Sequence, residues 1–169
     1  SETAYLRVIE SNPGNYIAWQ NLLFIQNTKL DFSKMFELAD QSVKAFPNQP
    51  LFHLFRGIGA AGIENYEVAV EAFKKGARLN PNNPDLTKQF YISLGDAYYR
   101  LENYKEAFLN FDLLLLLEPD NVIVLNNYSY YLSVLNQDVN KALVMINKCI
   151  AIEPENSTYL DTQAWVFYR

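Results

Sequence analysis

The 169-residue sequence predicts an all-α fold of stacked helix pairs, and three observations lead there. Pro13, Pro47, Pro81, Pro119 and Pro154 recur at intervals of 34, 34, 38 and 35 residues. Each closes an amphipathic stretch, and proline both ends a helix and forces the residue before it out of the helical region. Small residues return at fixed places between the prolines: Gly57, Gly95, Ser129 and Ala164 in one register, Ala69, Ala107 and Ala142 in the other. Two helices can approach closely only where such residues meet. A stop every 34 to 38 residues with room for two helices between stops describes a helix-turn-helix repeat.

Taken in order, 1–13 reads as the second helix of a truncated unit, with Tyr5 in a large packing slot. Whole units follow at 14–47, 48–81, 82–119 and 120–154, and 155–169 reads as the first helix of another truncated unit. The unit 82–119 carries a four-residue excess, which predicts a longer helix start around Asn83 to Thr87. Pro84 followed by Asp85 suits a first turn, where proline forfeits no hydrogen bond and an acid meets the positive end of the dipole. The unit 120–154 has one extra residue near Gln137.

The residues in these slots carry a family resemblance. Tyr91, Leu94, Gly95 and Tyr98, then Ala107, Phe111 and Pro119, follow the pattern W-x2-L-G-x2-Y…A-x3-F…P in order. His53, Gly57, Ala69 and Phe73 repeat it one unit earlier, Trp19 and Leu22 begin it two units earlier, and Leu125, Tyr128, Ser129, Ala142 and Ile146 repeat it after. The chain resembles the tetratricopeptide repeat family over essentially its whole length. The resemblance implies a single solenoid over 1–169, a right-handed α-α superhelix of about ten antiparallel helices.

Other function classes lose support on chemical grounds. The net charge is −5 and the longest basic cluster, Lys74, Lys75 and Arg78, sits on one helix face, so no phosphate-binding surface is expected. The strongest apolar run, Phe111 to Leu117, is broken by Asp112 and too short to span a bilayer, so no direct membrane insertion is expected. Gly57-Ile58-Gly59-Ala60-Ala61-Gly62 spells a dinucleotide fingerprint, but no strand precedes it and the helix-pair period accounts for it. His53 is the lone histidine and Cys149 the lone cysteine, which leaves no histidine triad, no multi-histidine metal site and no intrachain disulfide. Both are read as packing residues, and Glu64, Glu67 and Glu71 as a solvated helix face. Asn127-Tyr128-Ser129 and Asn156-Ser157-Thr158 match the glycosylation sequon by chance. No catalytic residue, cofactor or metal is expected, and the chain is not expected to be an enzyme.

The resemblance instead implies a protein or peptide partner lying along the first helices of successive units, which line the family's concave groove. Carried over slot by slot, the groove is Gln20, Asn21, Phe24 and Asn27, then Leu54, Phe55 and Ile58. Gln89, Ser93, Asp96, Tyr99 and Arg100 come next, followed by Asn126, Asn127 and Tyr130, and then Asp161, Thr162, Trp165 and Tyr168. Aromatic rings offer contact area at low rotamer cost, and carboxamides bond an extended backbone as donor and acceptor. Several rings are expected to pack between helices instead, Phe24, Phe55 and Trp165 first. The slots that hold a C-terminal carboxylate in chaperone-binding members carry no cation here, so a chaperone-tail clamp is not expected. The rival readings are a structural scaffold that self-associates through its truncated ends, where Trp165 and Phe167 lie, and an accessory domain of a larger protein with activity elsewhere. The ending Leu160-Asp161-Thr162-Gln163-Ala164-Trp165-Val166 resembles terminal units of bacterial members, which implies a bacterial source and leaves cytoplasm and cell envelope both open.

Overall fold

A computed structural model describes residues 1–80 and 82–169; Pro81, with its expected helix stop, lies outside the described residues. Among the described residues there are ten α-helices and no strand. They are α1 (Glu2–Ser11), α2 (Tyr16–Lys29), α3 (Phe32–Ala45), α4 (Pro50–Gly62), α5 (Tyr66–Arg78), α6 (Pro84–Arg100), α7 (Tyr104–Leu117), α8 (Val122–Val134), α9 (Val139–Ile152) and α10 (Ser157–Tyr168). The chain divides into two compact units, Ser1–Ala107 and Phe108–Arg169.

Helix starts are written in asparagine and aspartate. Asn15, Asp31, Asn65, Asn83, Asn121 and Asp138 each accept a hydrogen bond from the backbone N–H three residues on. Asn103 accepts from Glu106 N–H, and Asn156 caps α10 through Thr158 N–H. Such a cap satisfies one of the orphan donors at a helix start. Proline replaces the side-chain cap in α4, which opens on Pro50 at its first position. The excess before α6 lengthens that helix as expected: it runs for 17 residues from Pro84, against 14 in α2 and 13 in α4.

The turn inside each helix pair is built the same way four times. Leu30, Glu64, Glu102 and Asn136 sit in the left-handed region at φ 56°, 61°, 58° and 52°. The next residue's N–H reaches back five residues to a carbonyl: Asp31 to Gln26, Asn65 to Ala60, Asn103 to Tyr98 and Gln137 to Leu132. This Schellman closure satisfies orphan carbonyls. In the first three turns the closing residue is itself the next helix cap. In the fourth the extra residue, Gln137, closes the turn, and Asp138 caps α9 from a second left-handed position at φ 37°.

In the first unit α4 packs between α3 and α5, and α5 packs on α6. A Cβ on Gly59 would lie 2.6 Å from the backbone nitrogen of Phe36, so α3 and α4 touch where only glycine fits. One on Gly57 would lie 2.2 Å from the Phe73 ring of α5. Phe52, Phe73 and Phe90 are fully buried, as are Leu22, Leu23 and Met35. In the second unit α8 packs on α9, and α10 on both. There Ser129 Oγ donates to the Ala142 carbonyl at 2.8 Å, which joins two of the small slots directly. Phe111, Leu114, Val124 and Ile146 fill that core.

Candidate protein-binding surface

The first unit presents two open clefts on the helices singled out by the groove slots. One, of about 280 Å³, is lined by Asn21, Phe24, Ile25, Thr28 and Lys29 of α2. Phe24 is 46% exposed and meets Phe55 edge to face at 5.1 Å. Phe55 itself is buried, as is Leu54. The reason lies in α4, whose sequence PLFHLFRGIGAAG is apolar nearly all round; such a helix is enclosed rather than displayed. Phe55 therefore stands behind Phe24 as its support. Gln20 and Asn27 are half-buried, and the Asn21 side chain donates to the Ile17 carbonyl of its own helix at 2.8 Å.

A second cleft of about 310 Å³ opens between α4 and α6. Ile58, Ala61, Phe32, Tyr66 and Phe73 give it apolar walls, and Ser93, Asp96 and Arg100 of α6 line it with polar groups. It exists because small residues leave space: Ala61, Gly62 and Ala97 all face it. A Cβ at Gly62 would fall 2.1 Å from the Phe32 ring, so glycine lets that ring close the wall. Phe32, Tyr66 and Phe73 were outside the slot reading, which considered first helices only. Their signal was available, since each is the first helical residue after a turn or the large residue opposite a glycine. Of the remaining slots in this unit, Gln89 is exposed and Tyr99 is half-buried against Tyr104, with ring centroids 5.5 Å apart.

In the second unit, α8 carries Asn126, Asn127 and Tyr130, of which Asn126 is buried, Asn127 half-buried and Tyr130 exposed. Asn126 donates to Asn127 Oδ1 at 3.4 Å, while its own Oδ1 is buried with no hydrogen bond among the described residues. On α10, Asp161 is exposed and Thr162 buried. Trp165 and Tyr168 stack at 5.8 Å, with the Arg169 guanidinium 5.1 Å from the indole. Both rings are exposed, so the expected burial of Trp165 does not occur.

The reactive side chains are placed for packing. His53 is buried, and its Nε2 donates to the Pro47 carbonyl at 2.8 Å. Burial pulls its pKa below the usual histidine value, and Nδ1 has no hydrogen-bond partner among the described residues. Cys149 is buried beside the Val122 carbonyl, and burial pushes its thiol up to about 11, which keeps it protonated and unreactive. Gly57 to Gly62 lies inside α4 rather than on a loop between strand and helix. Among the described residues no three His, Cys, Asp or Glu side chains gather for a metal, and no helix is long and apolar enough to cross a membrane.

A tetratricopeptide repeat family model matches residues 89–121. Protein O-mannosyl-transferase F38B6.6 of Caenorhabditis elegans is 27% identical over 95 residues, which is 56% of this chain and 13% of that protein's length. YrrB, a TPR protein with an unusual peptide-binding site, superposes with a TM-score of 0.76 at 16% identity, over 99% of this chain and 84% of its own. TTC0263, a thermophilic TPR protein of Thermus thermophilus, gives 0.74 at 16% identity, covering 99% and 89%. A chain of the APC/C hetero-tetramer Cut9-Hcn1 gives 0.80 at 19% identity, covering 97% of this chain and 32% of that one. The fold is the helix-pair solenoid of these proteins, a fold generally used as an interaction scaffold.

Proposed function

We propose that this chain, a member of the tetratricopeptide repeat family, binds an extended peptide or helix of another protein along its first helices, with one partner side chain seated in the α4–α6 cleft. The observation that carries this reading is the cleft's composition: apolar walls with a hydroxyl, a carboxylate and a guanidinium from one helix face. Apolar lining with a few convergent polar groups is the usual character of a recognition pocket. In the same unit Phe24 supplies further contact area, and Tyr130 and the Trp165–Tyr168 stack are exposed aromatic surface of the second unit by itself. The likeness to YrrB, described as having a peptide-binding site, supports the same reading.

The test is a peptide-display selection against the 169-residue chain, followed by titration calorimetry with the winning peptides. Ser93→Trp fills the cleft from a half-exposed position, and Asn127→Ala with Tyr130→Ala strips the α8 face. A loss of affinity of about tenfold or more in Ser93→Trp is expected, as for a central anchor pocket. Unchanged affinity in both variants, each folded by circular dichroism, would remove the binding surface from these helices.

The likeness to an O-mannosyl-transferase supports a second reading, in which this region serves as the interaction part of a longer protein whose chemistry is carried elsewhere. A peptide selected by the cleft that also occurs in a glycosylated substrate would favour it.

A further inference from the structure

The outer faces of α7 and α9 carry apolar side chains that folding does not explain. Ala107, Phe111 and Leu114 point α7 at the core, and Ala142, Ile146 and Cys149 do so for α9. At 100° per residue, Leu109 and Leu116 stand opposite the core on α7, and Val144 and Ala151 stand opposite it on α9. All four are exposed, Leu116 by 78% and Val144 by 70%.

Two ion pairs at different heights tie α9 to α7 and to the turn that follows α7. Lys141 Nζ lies 2.8 Å from Asp112 Oδ1, and Lys148 Nζ lies 2.6 Å from Asp120 Oδ1. The rising numbers on both sides show that α7 and α9 run parallel. Leu116 is one turn past Asp112, and Val144 one turn past Lys141, so both lie between the ion pairs. The lysines are held from behind: Lys141 also donates to Tyr128 Oη, and Lys148 to the Pro119 carbonyl, each within 2.8 Å. The face is therefore a pair of apolar ridges with an acid at two heights on the α7 side and a lysine at the same two heights on the α9 side.

We propose that this face binds a second copy of the chain about a two-fold axis that runs along the helices between α7 and α9. That operation lays α7 of one copy over α9 of the other without changing height. Asp112 then faces Lys141 of the second copy, Asp120 faces its Lys148, and Leu116 packs on its Val144. The other face-to-face two-fold, across the helices, would set Asp112 against Asp120 and lysine against lysine. Charge complementarity selects one arrangement, and the contact is isologous as closed dimers require. This surface is separate from the clefts proposed for a peptide.

Sedimentation velocity from about 1 µM to about 500 µM covers the range of a transient interface of this kind. A concentration-dependent dimer is expected. Leu116→Glu and Val144→Glu, both at exposed positions, should each weaken it by about tenfold or more. Asp120→Lys and Lys148→Glu, placed in separate chains, should each lower self-association, because like charges then meet across the axis. Mixing the two restores opposite charges at both contacts and should recover a heterodimer. A monomer at every concentration overturns the proposal, as does a dimer indifferent to Leu116→Glu and Val144→Glu. A mixture that fails to reassociate overturns the parallel two-fold.

Discussion

Replacing Glu64 with glycine should stabilise the protein, and the size of the gain tests how the intra-pair turns are held. Glu64 adopts φ 61°, is exposed, and is followed by the Asn65 N–H bond to Ala60. The left-handed conformation costs an ordinary L-residue roughly 1–2 kcal/mol, because Cβ crowds the following carbonyl. Glycine escapes that cost but gives the unfolded chain extra freedom worth about 0.4–1 kcal/mol. The net expectation is a gain of about 0.5–1 kcal/mol. Leu30 and Glu102, at φ 56° and 58°, should behave alike, and all three lie in the first unit far apart in sequence. Combined, they should add to about 1.5–3 kcal/mol. Asn136 sits at φ 52°, but asparagine tolerates this region, so Asn136→Gly should gain only a few tenths of a kcal/mol. Urea denaturation followed by circular dichroism reads the order directly, with Glu64→Gln separating the lost charge from the backbone effect. A Glu64→Gly midpoint at or below that of Asn136→Gly would refute the assignment of strain to these turns.

Gly59→Ala should destabilise by about 1–2 kcal/mol, overpacking of the Phe36 backbone outweighing the better helix propensity of alanine; a neutral or positive shift in urea midpoint would show that α3 and α4 can part. His53 predicts a pH dependence with a definite sign. Its folded pKa is depressed by burial, so the unfolded chain takes up a proton that the folded chain refuses, and stability falls as pH drops below about 6.5. His53→Gln should flatten that limb, and an unaltered slope would place its origin elsewhere. A separate acid limb should come from Glu2, held down to about 2 by its hydrogen bonds to Lys29, Lys34 and Gln26, with stability lost between about pH 4.5 and 2. Cys149 should resist a thiol reagent at about pH 8 until the chain is unfolded, and rapid labelling of the native protein would contradict its burial.

The helices were legible because their boundaries are local chemistry. Proline stops, the Pro84–Asp85 start and the small slots Gly57, Ser129 and Ala142 each act through a contact or a missing N–H that the residue type alone dictates. Asparagine outside the groove slots has its own use: Asn15, Asn65, Asn83, Asn103, Asn121 and Asn156 cap helices. The intra-pair turns were hidden because glutamate and leucine, rather than glycine, occupy their left-handed positions. The residues in the groove slots differ in exposure, with Phe24, Gln89, Tyr130 and Trp165 exposed and Leu54, Phe55, Asn126 and Thr162 buried. Leu54 and Phe55 fall inside because α4 is packed against α3, α5 and α6 and its polar side chains His53 and Arg56 are themselves tied to Pro47 and Asp40, a property of the whole helix rather than of a slot. The slots include Ile58, Ser93, Asp96 and Arg100 of the α4–α6 cleft but not the cleft itself. It is made by what Ala61, Gly62 and Ala97 lack, and an account of side chains present does not register space.

One recurring bond explains why the aromatic slot varies without harm to the fold. The periodic proline leaves its own carbonyl at the end of a helix with no helical partner. Trp19 satisfies it in the first unit by donating from Nε1 to the Pro13 carbonyl at 2.8 Å. His53, six residues after Pro47 as Trp19 is after Pro13, donates from Nε2 at the same distance. Leu125 stands six residues after Pro119 and has no hydrogen to give, and there the carbonyl is taken by Lys148 from α9 at 2.7 Å. What the position requires is a donor for that carbonyl and bulk for the core, and the two can be separated. This predicts that His53→Phe, which keeps the bulk and removes the donor, costs about 0.5–1.5 kcal/mol, the net worth of one hydrogen bond to the carbonyl of an exposed proline. His53→Gln, a smaller side chain that can still donate, should cost less if the bond dominates. The reverse order in urea midpoints would show that the ring, rather than the hydrogen bond, holds the slot.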